Sequence, residues 1–446
     1  MKPSTLKGTR DFGPAVVARR NYIFDTIRAV FIKYGYQPIE TPAMEKLETL
    51  TGKYGEEGDK LLFKILNNGS FLAKADANAL SNKDARAILP QISKRGLRYD
   101  LTVPFARFVV MHQNDLSFPF KRYQIQPVWR ADRPQANRYQ EFFQCDVDVV
   151  GSNSLVYEAE LVQIYDEAFQ DLKLDVTIKV NNRKILAGIA EAAGIPDQFM
   201  EMTVAIDKLD KIGLEGVRKE MMRRGIPEDA IAKIETILQV KNLAELKPLF
   251  ADSPSGLEGI QELETFHLYF DQYEATNTVE FDITLARGLS YYTGCIFEVK
   301  AKGVKMGSVG GGGRYADLTG VFGMKNMPGV GVSFGADRIY DAMEMLNLFP
   351  DQFAGDLQLL FIALDSTAHQ YAFGQLIKVR AAGINADLYP DPAKMKKQMK
   401  YANDRKVPYV VIIGTEEMES GELSMKDMNS GEQKKLGIDA IIEQLK

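Results

Sequence analysis

The sequence predicts an α/β (α+β) protein with more than one domain, and three observations support this. The chain has 446 residues, which is more than a single hydrophobic core usually organises. Segments with the period of a half-buried strand alternate with segments of helical spacing along most of its length. Residues 356–446 then form their own succession of strand and helix patterns, which indicates a separate C-terminal α/β domain.

The composition is that of a folded soluble protein, with 45% apolar and 26% charged residues. No apolar run approaches the roughly 18 residues that span a bilayer, and the N-terminus lacks the apolar core of a signal peptide. We therefore expect a cytoplasmic protein without a membrane segment. The net charge of −5 gives no global attraction to nucleic acid. A lysine-rich segment over 394–406 is either a local RNA contact or a solvated helix face.

The cysteines and histidines indicate neither a disulfide nor a metal site. Cys145 and Cys295 lie within apparent strands, where they are expected to pack as small buried residues in a reducing compartment. His112, His267 and His369 are scattered without the spacing of metal ligands. We therefore expect no metal bound by the protein alone.

The first elements are a helix over 15–34 and a strand over 36–41. Apolar residues such as Ile23 and Ile27 recur at helical spacing, and Gly35 ends the helix. The pattern alone is that of an ordinary helix followed by a strand.

Residues 97–109 begin as a strand and run through Pro104 into a helix. Asp100 and Thr102 lie two residues apart, which on a strand places both side chains on one face. A helix over 158–172 and a strand over 176–180 follow.

The most informative segment is 121–151, KRYQIQPVWRADRPQANRYQEFFQCDVDVVG, which predicts two strands joined by an arginine-rich loop. Arg130 precedes the loop, and Gln144, Asp146 and Asp148 share one face of the second strand. Guanidinium groups pair with phosphate oxygens and keep their charge. The pattern indicates a phosphate-binding floor beside a polar substrate pocket, or alternatively a solvated hairpin with surface ion pairs.

Residues 182–267 are mostly helical and rich in charge, which predicts a helical insertion between strands of the main domain. Strand character returns near Phe281. A run of four glycines before Arg314 and Tyr315 either forms a loop or lets a ligand approach the backbone. It fits neither a P-loop nor a dinucleotide fingerprint.

Residues 328–345 predict a strand that passes through Gly335 into a helix, with Arg338 in the first turn. A helix N-terminus and an arginine both favour phosphate. A linker is predicted over 348–355. Beyond it we expect strands over 357–363, 385–388, 409–413 and 423–427, with helices over 368–381, 393–403 and 439–445.

Two of these segments carry a family resemblance. The hairpin resembles motif 2 of the class II aminoacyl-tRNA synthetases in the form found in the histidyl-tRNA synthetase family, with Arg130, a loop starting Arg133-Pro134-Gln135 and ending Arg138-Tyr139. Residues 285–298, LARGLSYYTGCIFE, resemble the histidine signature of that family, usually written RGLDYY. Ser290 stands where the family normally has Asp.

Other segments extend the resemblance over essentially the whole chain. The first helix and strand are similar to motif 1, which forms the family's dimer interface, and residues 328–345 are similar to motif 3. Residues 356–446 resemble the anticodon-binding domain of the histidyl, prolyl, threonyl and glycyl enzymes. The resemblance implies a class II catalytic domain built on an antiparallel sheet (1–181 and 268–347), the helical insertion (182–267) and a mixed-sheet anticodon-binding domain (356–446).

The activity implied is that of a histidine–tRNA ligase. Such an enzyme joins L-histidine and ATP, with Mg²⁺ carried by ATP, to histidyl-adenylate and pyrophosphate, and then transfers histidine to the 3′ end of tRNA-His. The resemblance also implies a homodimer. The alternative is the non-catalytic paralogue that serves as regulatory subunit of ATP phosphoribosyltransferase. Arg130, Arg287, Arg338 and the C-terminal domain argue against it, and the signature argues against the proline, threonine and glycine enzymes.

The resemblance assigns roles to individual residues. Arg130 binds the α-phosphate, Arg287 stabilises the transition state between the carboxylate and that phosphate, and Arg138 and Arg338 bind the β- and γ-phosphates. The histidine-binding residues are Asp100, Thr102 and Gln144 at the α-amino group, Asp148 and Tyr292 at the imidazole edges, and Tyr315, which helps to close the pocket. Tyr291 and Arg287 also belong to the histidine-binding set. The insertion, through Arg218, Lys219, Arg223 and Arg224, contacts the tRNA acceptor arm, or these residues form a solvated helix face.

Overall fold

The computed structural model describes residues 2–51, 61–133, 138–286, 291–351, 353 and 356–446. The chain divides into two compact units, Met1–Phe349 and Pro350–Lys446. Each unit has its own hydrophobic core. Within the described ranges, no helix is both long enough and apolar enough to cross a membrane.

The first unit begins with the elements that build half of its main sheet. In chain order these are α1 (Pro14–Lys33), β1 (Gln37–Pro38), β2 (Met44–Lys46), α2 (Leu47–Leu50), β3 (Lys64–Ile65), α3 (Ala77–Ser81), α4 (Ala85–Ile92), β4 (Arg95–Leu97), α5 (Thr102–Met111), β5 (Phe120–Trp129), β6 (Glu141–Val150), α6 (Val156–Asp171) and β7 (Val176–Asn182). Strands β2, β3 and β4 form a small separate sheet.

A helical stretch and the remaining strands complete this unit. The helices are α7 (Arg183–Ala192), a 3-10 turn (Pro196–Gln198), α8 (Phe199–Ile206), α9 (Leu209–Arg223), α10 (Glu228–Ile237), α11 (Leu243–Leu249) and α12 (Pro254–Phe270). They are followed by β8 (Thr278–Phe281), β9 (Tyr292–Ala301), β10 (Gly310–Tyr315), a 3-10 turn (Gly320–Phe322), β11 (Gly329–Gly335) and α13 (Ala336–Met345). Helix α12 runs past residue 267, and the predicted domain limits stay predictions.

The main sheet has eight strands in the order β1-β5-β6-β11-β10-β9-β7-β8. The pairs at its two edges, β1 with β5 and β7 with β8, are parallel, and every pair between them is antiparallel. The sheet is therefore mixed, with the predicted antiparallel arrangement between its two edge pairs. The glycine run lies in the middle of it, as strand β10 rather than as a loop.

The two faces of this sheet differ because side chains alternate along each strand. Cys145, Val147 and Val149 of β6 are buried in the main core, on the strand against which α1 and α13 pack. The residues between them face the other way and carry polar groups. Asp146 is paired in register with Gln124 on β5 and with Ser333 on β11. Asp148 is paired with Arg122 on β5 and with Gly331 on β11.

The prediction that Asp100 and Thr102 share a strand face is wrong. Strand β4 ends at Leu97, and α5 begins at Thr102. The Asp100 carboxylate accepts the Val103 N–H at 3.2 Å, which satisfies a backbone donor of the first helical turn. Pro104 is also accommodated there, since its missing N–H has no partner to lose in a first turn.

The second unit is a mixed sheet with helices, as predicted. Its elements are β12 (Leu359–Ala363), α14 (Ser366–Ala381), β13 (Ala386–Leu388), α15 (Met395–Asp404), β14 (Tyr409–Ile413), α16 (Thr415–Ser420), β15 (Leu423–Asp427), β16 (Gln433–Leu436) and α17 (Ile438–Leu445). The strand order is β13-β12-β14-β15-β16. The sequence did not predict α16 or β16, and β16 is polar and mostly exposed, so it lacks an apolar face.

Candidate active site

A small cavity of about 170 Å³ opens on the polar face of the main sheet. Every predicted histidine-binding residue in the described part of the chain lines it, namely Asp100, Thr102, Gln144, Asp148, Tyr291, Tyr292 and Tyr315. Arg287 and Ser290 lie outside the described residues. Side chains predicted from segments far apart in sequence therefore meet in one pocket.

A larger cavity of about 900 Å³ adjoins the first. The three arginines predicted to bind ATP, Arg130, Arg138 and Arg338, all line it. Five residues belong to both cavities: Arg130, Gln144, Tyr292, Gly311 and Ser333. A ligand in the small cavity would therefore meet a ligand in the large one beside the Arg130 side chain.

Asp148 lies in the small cavity with both carboxylate oxygens engaged. The Tyr315 hydroxyl donates to Oδ1 at 3.1 Å, and Arg122 Nη2 lies 2.7 Å from Oδ2. Burial raises the pKa of Asp148, whereas the Arg122 guanidinium and the Tyr315 hydroxyl lower it. A Cβ atom on Gly331 would lie 1.9 Å from Oδ1, so only glycine at that position leaves room for this carboxylate.

Three tyrosines form the aromatic wall of the pocket. The ring centroids of Tyr291 and Tyr292 lie 4.6 Å apart, and the Tyr291 and Tyr315 rings meet edge to face. Burial raises the pKa of all three phenols above the ordinary value. They are therefore neutral at physiological pH, and each can both donate and accept a hydrogen bond.

The arginines of the large cavity are held by neighbouring groups. Arg130 Nε donates to the Tyr99 carbonyl at 2.9 Å. Arg338, in the first turn of α13, donates to the Ser308 carbonyl at 2.8 Å. Arg138 pairs with Asp132 at 2.8 Å, and its side chain is about half exposed. The cavity thus combines three fixed positive charges with a helix N-terminus, an arrangement that suits a polyphosphate.

Several lining residues were not among the predicted ligands, including Asp146, Gly311, Gly331 and Ser333. The sequence pattern does point to Asp146, because it lies on the same strand face as Gln144 and Asp148. Gly311 belongs to the glycine run, for which close approach of a ligand was one of two alternatives. Within the described chain, no group of three or more His, Cys, Asp or Glu side chains is arranged to hold a metal ion.

The chain matches two known protein families. Residues 72–339 match the family described as histidyl-tRNA synthetase. The chain belongs to the histidyl-tRNA synthetase family. Residues 358–446 match a second family, described as anticodon binding domain. Both matches confirm the resemblance read from the motifs.

Relatives of this synthetase family cover the whole chain. A histidine–tRNA ligase of Bacteroides fragilis strain YCH46 is 54% identical over 99% of this chain and 98% of its own length. Another, of Christiangramia forsetii, is 55% identical over 100% of this chain and 99% of its own.

Solved structures agree with this synthetase fold. Histidyl-tRNA synthetase from Nostoc sp. PCC 7120 has a TM-score of 0.85 at 30% identity, covering 100% of this chain and 99% of that one. A Bacillus halodurans protein described as an ATP phosphoribosyltransferase regulatory subunit/histidyl-tRNA synthetase has a TM-score of 0.72 at 20% identity, over 90% of this chain and 97% of that one. The latter likeness concerns the fold alone. The full-length relatives named as ligases therefore favour the ligase over the regulatory subunit.

Proposed function

We propose that the chain is a histidine–tRNA ligase that activates L-histidine with ATP and transfers it to the 3′ end of tRNA-His. The observation that carries the proposal is the adjoining pair of cavities. Residues assigned to histidine line one cavity, residues assigned to ATP line the other, and Arg130 lines both.

The first step is in-line attack of the histidine carboxylate on the α-phosphorus of ATP. The carboxylate is already ionised at neutral pH, so no general base is needed. Repulsion between the carboxylate and the phosphate oxygens is the main obstacle, and fixed positive charge reduces it. Arg130 supplies such a charge at the junction of the cavities. Arg287 is assigned the same task by family resemblance and lies outside the described residues.

Histidine is recognised through groups that can pair with both ring nitrogens. Asp148, held by Tyr315 and Arg122, accepts from an imidazole N–H, and the neutral Tyr292 phenol completes the contact. A pocket built to hydrogen-bond a polar ligand rejects apolar amino acids by roughly 10⁴–10⁵, because its own groups would be left unpaired. Selection of histidine then needs no separate editing step.

ATP is bound through Arg138 and Arg338 at the β- and γ-phosphates. Mg²⁺ arrives with these phosphates as part of the substrate and neutralises their charge. The carboxylates of Asp132 and Glu298 line the same cavity, and oxygen donors of this kind suit Mg²⁺.

Binding of tRNA-His involves both units of the chain in this proposal. Residues 356–446 bind the anticodon, and the motif 2 loop over 132–137, of which 134–137 lie outside the described residues, approaches the acceptor end. A tRNA contact through the helical insertion has less support. Arg218 pairs with Glu228 and Glu235, and Arg223 and Arg224 pair with Glu220, so these guanidinium groups already have partners.

Two further parts of the proposal concern assembly and location. A cytoplasmic homodimer would use α1 and β1 at the subunit interface. In support, α1 exposes the apolar side chains of Val17 and Ile32.

Amino-acid-dependent exchange of labelled pyrophosphate into ATP, run with each of the twenty amino acids and Mg²⁺, tests the activation step. We expect exchange with histidine and with no other amino acid. Binding of histidine without exchange would instead favour the regulatory subunit. Exchange driven by a different amino acid would overturn the assignment of the pocket.

A further inference from the structure

Asp146 lies in the floor of the small cavity between Gln144 and Asp148, on the same face of β6. Its side chain is almost completely buried, and its Oδ1 has no hydrogen-bond partner among the described residues. Gln144 Oε1 is likewise buried without a partner in the described chain, whereas its Nε2 donates to Ser333 Oγ at 2.9 Å. Two neighbouring acceptors that line one cavity thus lack donors.

This situation differs from that of Asp148. Both oxygens of Asp148 are engaged, by Tyr315 and by Arg122. A buried acceptor without a donor costs free energy, and a buried carboxylate without a counter-charge costs more. A bound group with several N–H donors and a positive charge would therefore be stabilised next to Asp146 and Gln144.

The balance of charge in the pocket points the same way. Asp100, Asp146 and Asp148 bring three carboxyl groups to the cavity, and all three are buried. Two fully buried cations of the described chain lie near them: Arg122, which lies against Asp148, and Arg98, whose guanidinium is hydrogen-bonded to Thr41 and to the Pro127 carbonyl. Arg130 is only half-buried and lies where the two cavities meet. A ligand that brings a positive charge deep into the pocket reduces the excess of acidic groups.

We propose that Asp146 is a further histidine-binding residue, and that its Oδ1 accepts a hydrogen bond from the substrate's α-ammonium group together with Gln144 Oε1. The inference rests on the proposed function, since it takes histidine as the substrate. Alternate residues of a strand are roughly 7 Å apart, so their side-chain oxygens need to converge only slightly for one ammonium to reach both with hydrogen bonds of about 3 Å.

The location of Gln144 favours the α-ammonium over the imidazole. Gln144 lines both cavities, so it lies where the substrate carboxylate must meet the nucleotide. The α-ammonium is attached to the carbon next to that carboxylate. The imidazole extends further, toward Asp148 and Tyr315. Asp146 therefore lies along the part of the substrate that carries the amino group.

The charge state of Asp146 is set by groups on every element around it. Burial raises the pKa of Asp146 to about 7, and Asp148 and Asp100 contribute to the increase. Arg122 on β5 and the Ser333 hydroxyl on β11 oppose it, and the guanidinium of Arg98, just after β4, also interacts with this carboxylate. Gln124, opposite on β5, is neutral. An arriving ammonium favours the ionised carboxylate, which then accepts a charge-assisted hydrogen bond.

The test compares three ligands by calorimetric titration of the full-length protein and its Asp146→Asn variant. L-Histidine and L-histidinol carry the α-amino group, whereas imidazole-4-propionate lacks it. We expect Asp146→Asn to weaken histidine and histidinol by roughly 10- to 100-fold and to leave imidazole-4-propionate within about threefold. Equal weakening of all three ligands, or unchanged binding of histidine, would overturn the inference. Asp146→Ser removes the carboxylate a second way and carries the same expectation.

Asp166→Asn is the matched control. Asp166 is a fully buried carboxylate on α6 that lines neither cavity. It accepts from the Tyr273 hydroxyl at 2.8 Å and from the Thr276 N–H at 2.9 Å. This variant is expected to lower the melting temperature with histidine affinity unchanged. Histidine-dependent exchange by the unmodified protein tests the proposed function separately, so the two failures can be told apart.

Discussion

Arg10 and Asp337 form an ion pair that fastens the N-terminal segment to the helix carrying Arg338. Asp337 Oδ1 also accepts from Arg20, and its Oδ2 accepts the Phe143 N–H at 2.9 Å. The Arg10 guanidinium lies 3.3 Å from the centre of the Tyr139 ring. The first turn of α13 is thus held by α1, by β6 and by the N-terminal segment.

Arg10→Ala is expected to loosen this helix start. Arg20 still pairs with Asp337, so we expect a loss of about 1–2 kcal/mol in the free energy of unfolding, together with a higher KM for ATP and little change in the KM for histidine. Urea denaturation and pyrophosphate-exchange kinetics measure both effects. Arg28→Ala is the control, because Arg28 forms an exposed pair with Asp25 and its loss should change stability by less than about 0.5 kcal/mol. A rise in the KM for histidine alone would contradict this account.

Tyr315→Phe removes the hydroxyl that donates to Asp148. The carboxylate remains paired with Arg122, so we expect the KM for histidine to rise by about three- to tenfold, as for loss of one hydrogen bond. The KM for ATP should stay the same, because Tyr315 lines only the small cavity. Tyr273→Phe, which loses a hydrogen bond to Asp166 instead, should leave both constants unchanged. An effect of Tyr315→Phe on ATP rather than on histidine would count against the pocket assignment.

The parts of this site that could be predicted from sequence are those with a local pattern. Strand alternation alone placed Gln144 and Asp148 on one face, and the strand-to-helix pattern placed Arg338 in a first turn. Tyr292 and Tyr315 reached the pocket only by family resemblance, because nothing local relates their strands to β6. No pattern in the sequence indicates that Arg122 is buried, since its burial depends on the register between β5 and β6.

Asp100 shows a second kind of limit. The run from 97 to 109 fits both a strand and a helix, and the two-residue spacing of Asp100 and Thr102 predicts strand geometry. The outcome is set by the Asp100 contact to the Val103 N–H, an interaction that strand periodicity does not reveal. The Asp100 side chain still lines the pocket, because Asp100 lies just before α5, which holds this segment beside the cavity.

Gly331→Ala tests the close approach of Asp148 to β11. The added Cβ would lie 1.9 Å from Asp148 Oδ1, so the carboxylate must move away from Tyr315 and Arg122. We expect overpacking to lower the free energy of unfolding by about 1–3 kcal/mol and the exchange rate at low histidine to fall strongly. Gly374→Ala in α14 is the control, since nothing lies within 4 Å of its Cβ position. That change should stabilise the second unit by roughly 0.5–1 kcal/mol. Normal histidine affinity in Gly331→Ala would refute the steric argument.

Arg130→Lys tests whether the junction of the cavities needs a guanidinium. A lysine keeps the charge but loses the fork that pairs with two oxygens and the Nε–H bonded to Tyr99. We expect histidine-dependent exchange to fall by roughly 10²–10³, with the thermal stability nearly unchanged. Arg95→Lys, at a half-exposed arginine that bonds Asn68 outside both cavities, should retain full exchange. Activity of Arg130→Lys within about threefold of the unmodified protein would exclude a central role for this residue.

The pH dependence of stability reports on Asp146 in the ligand-free protein. Its pKa is about 7 in the folded chain and about 3.9 when unfolded, so between these values the folded state binds the extra proton. Stability from this proton is fully present below the unfolded pKa and is lost as the pH rises through 7. Between pH 5.5 and 7 the unmodified protein should therefore lose about 2 kcal/mol relative to Asp146→Asn. Urea denaturation of both proteins across this range measures the difference, and parallel pH profiles would show that Asp146 is already ionised at pH 5.5.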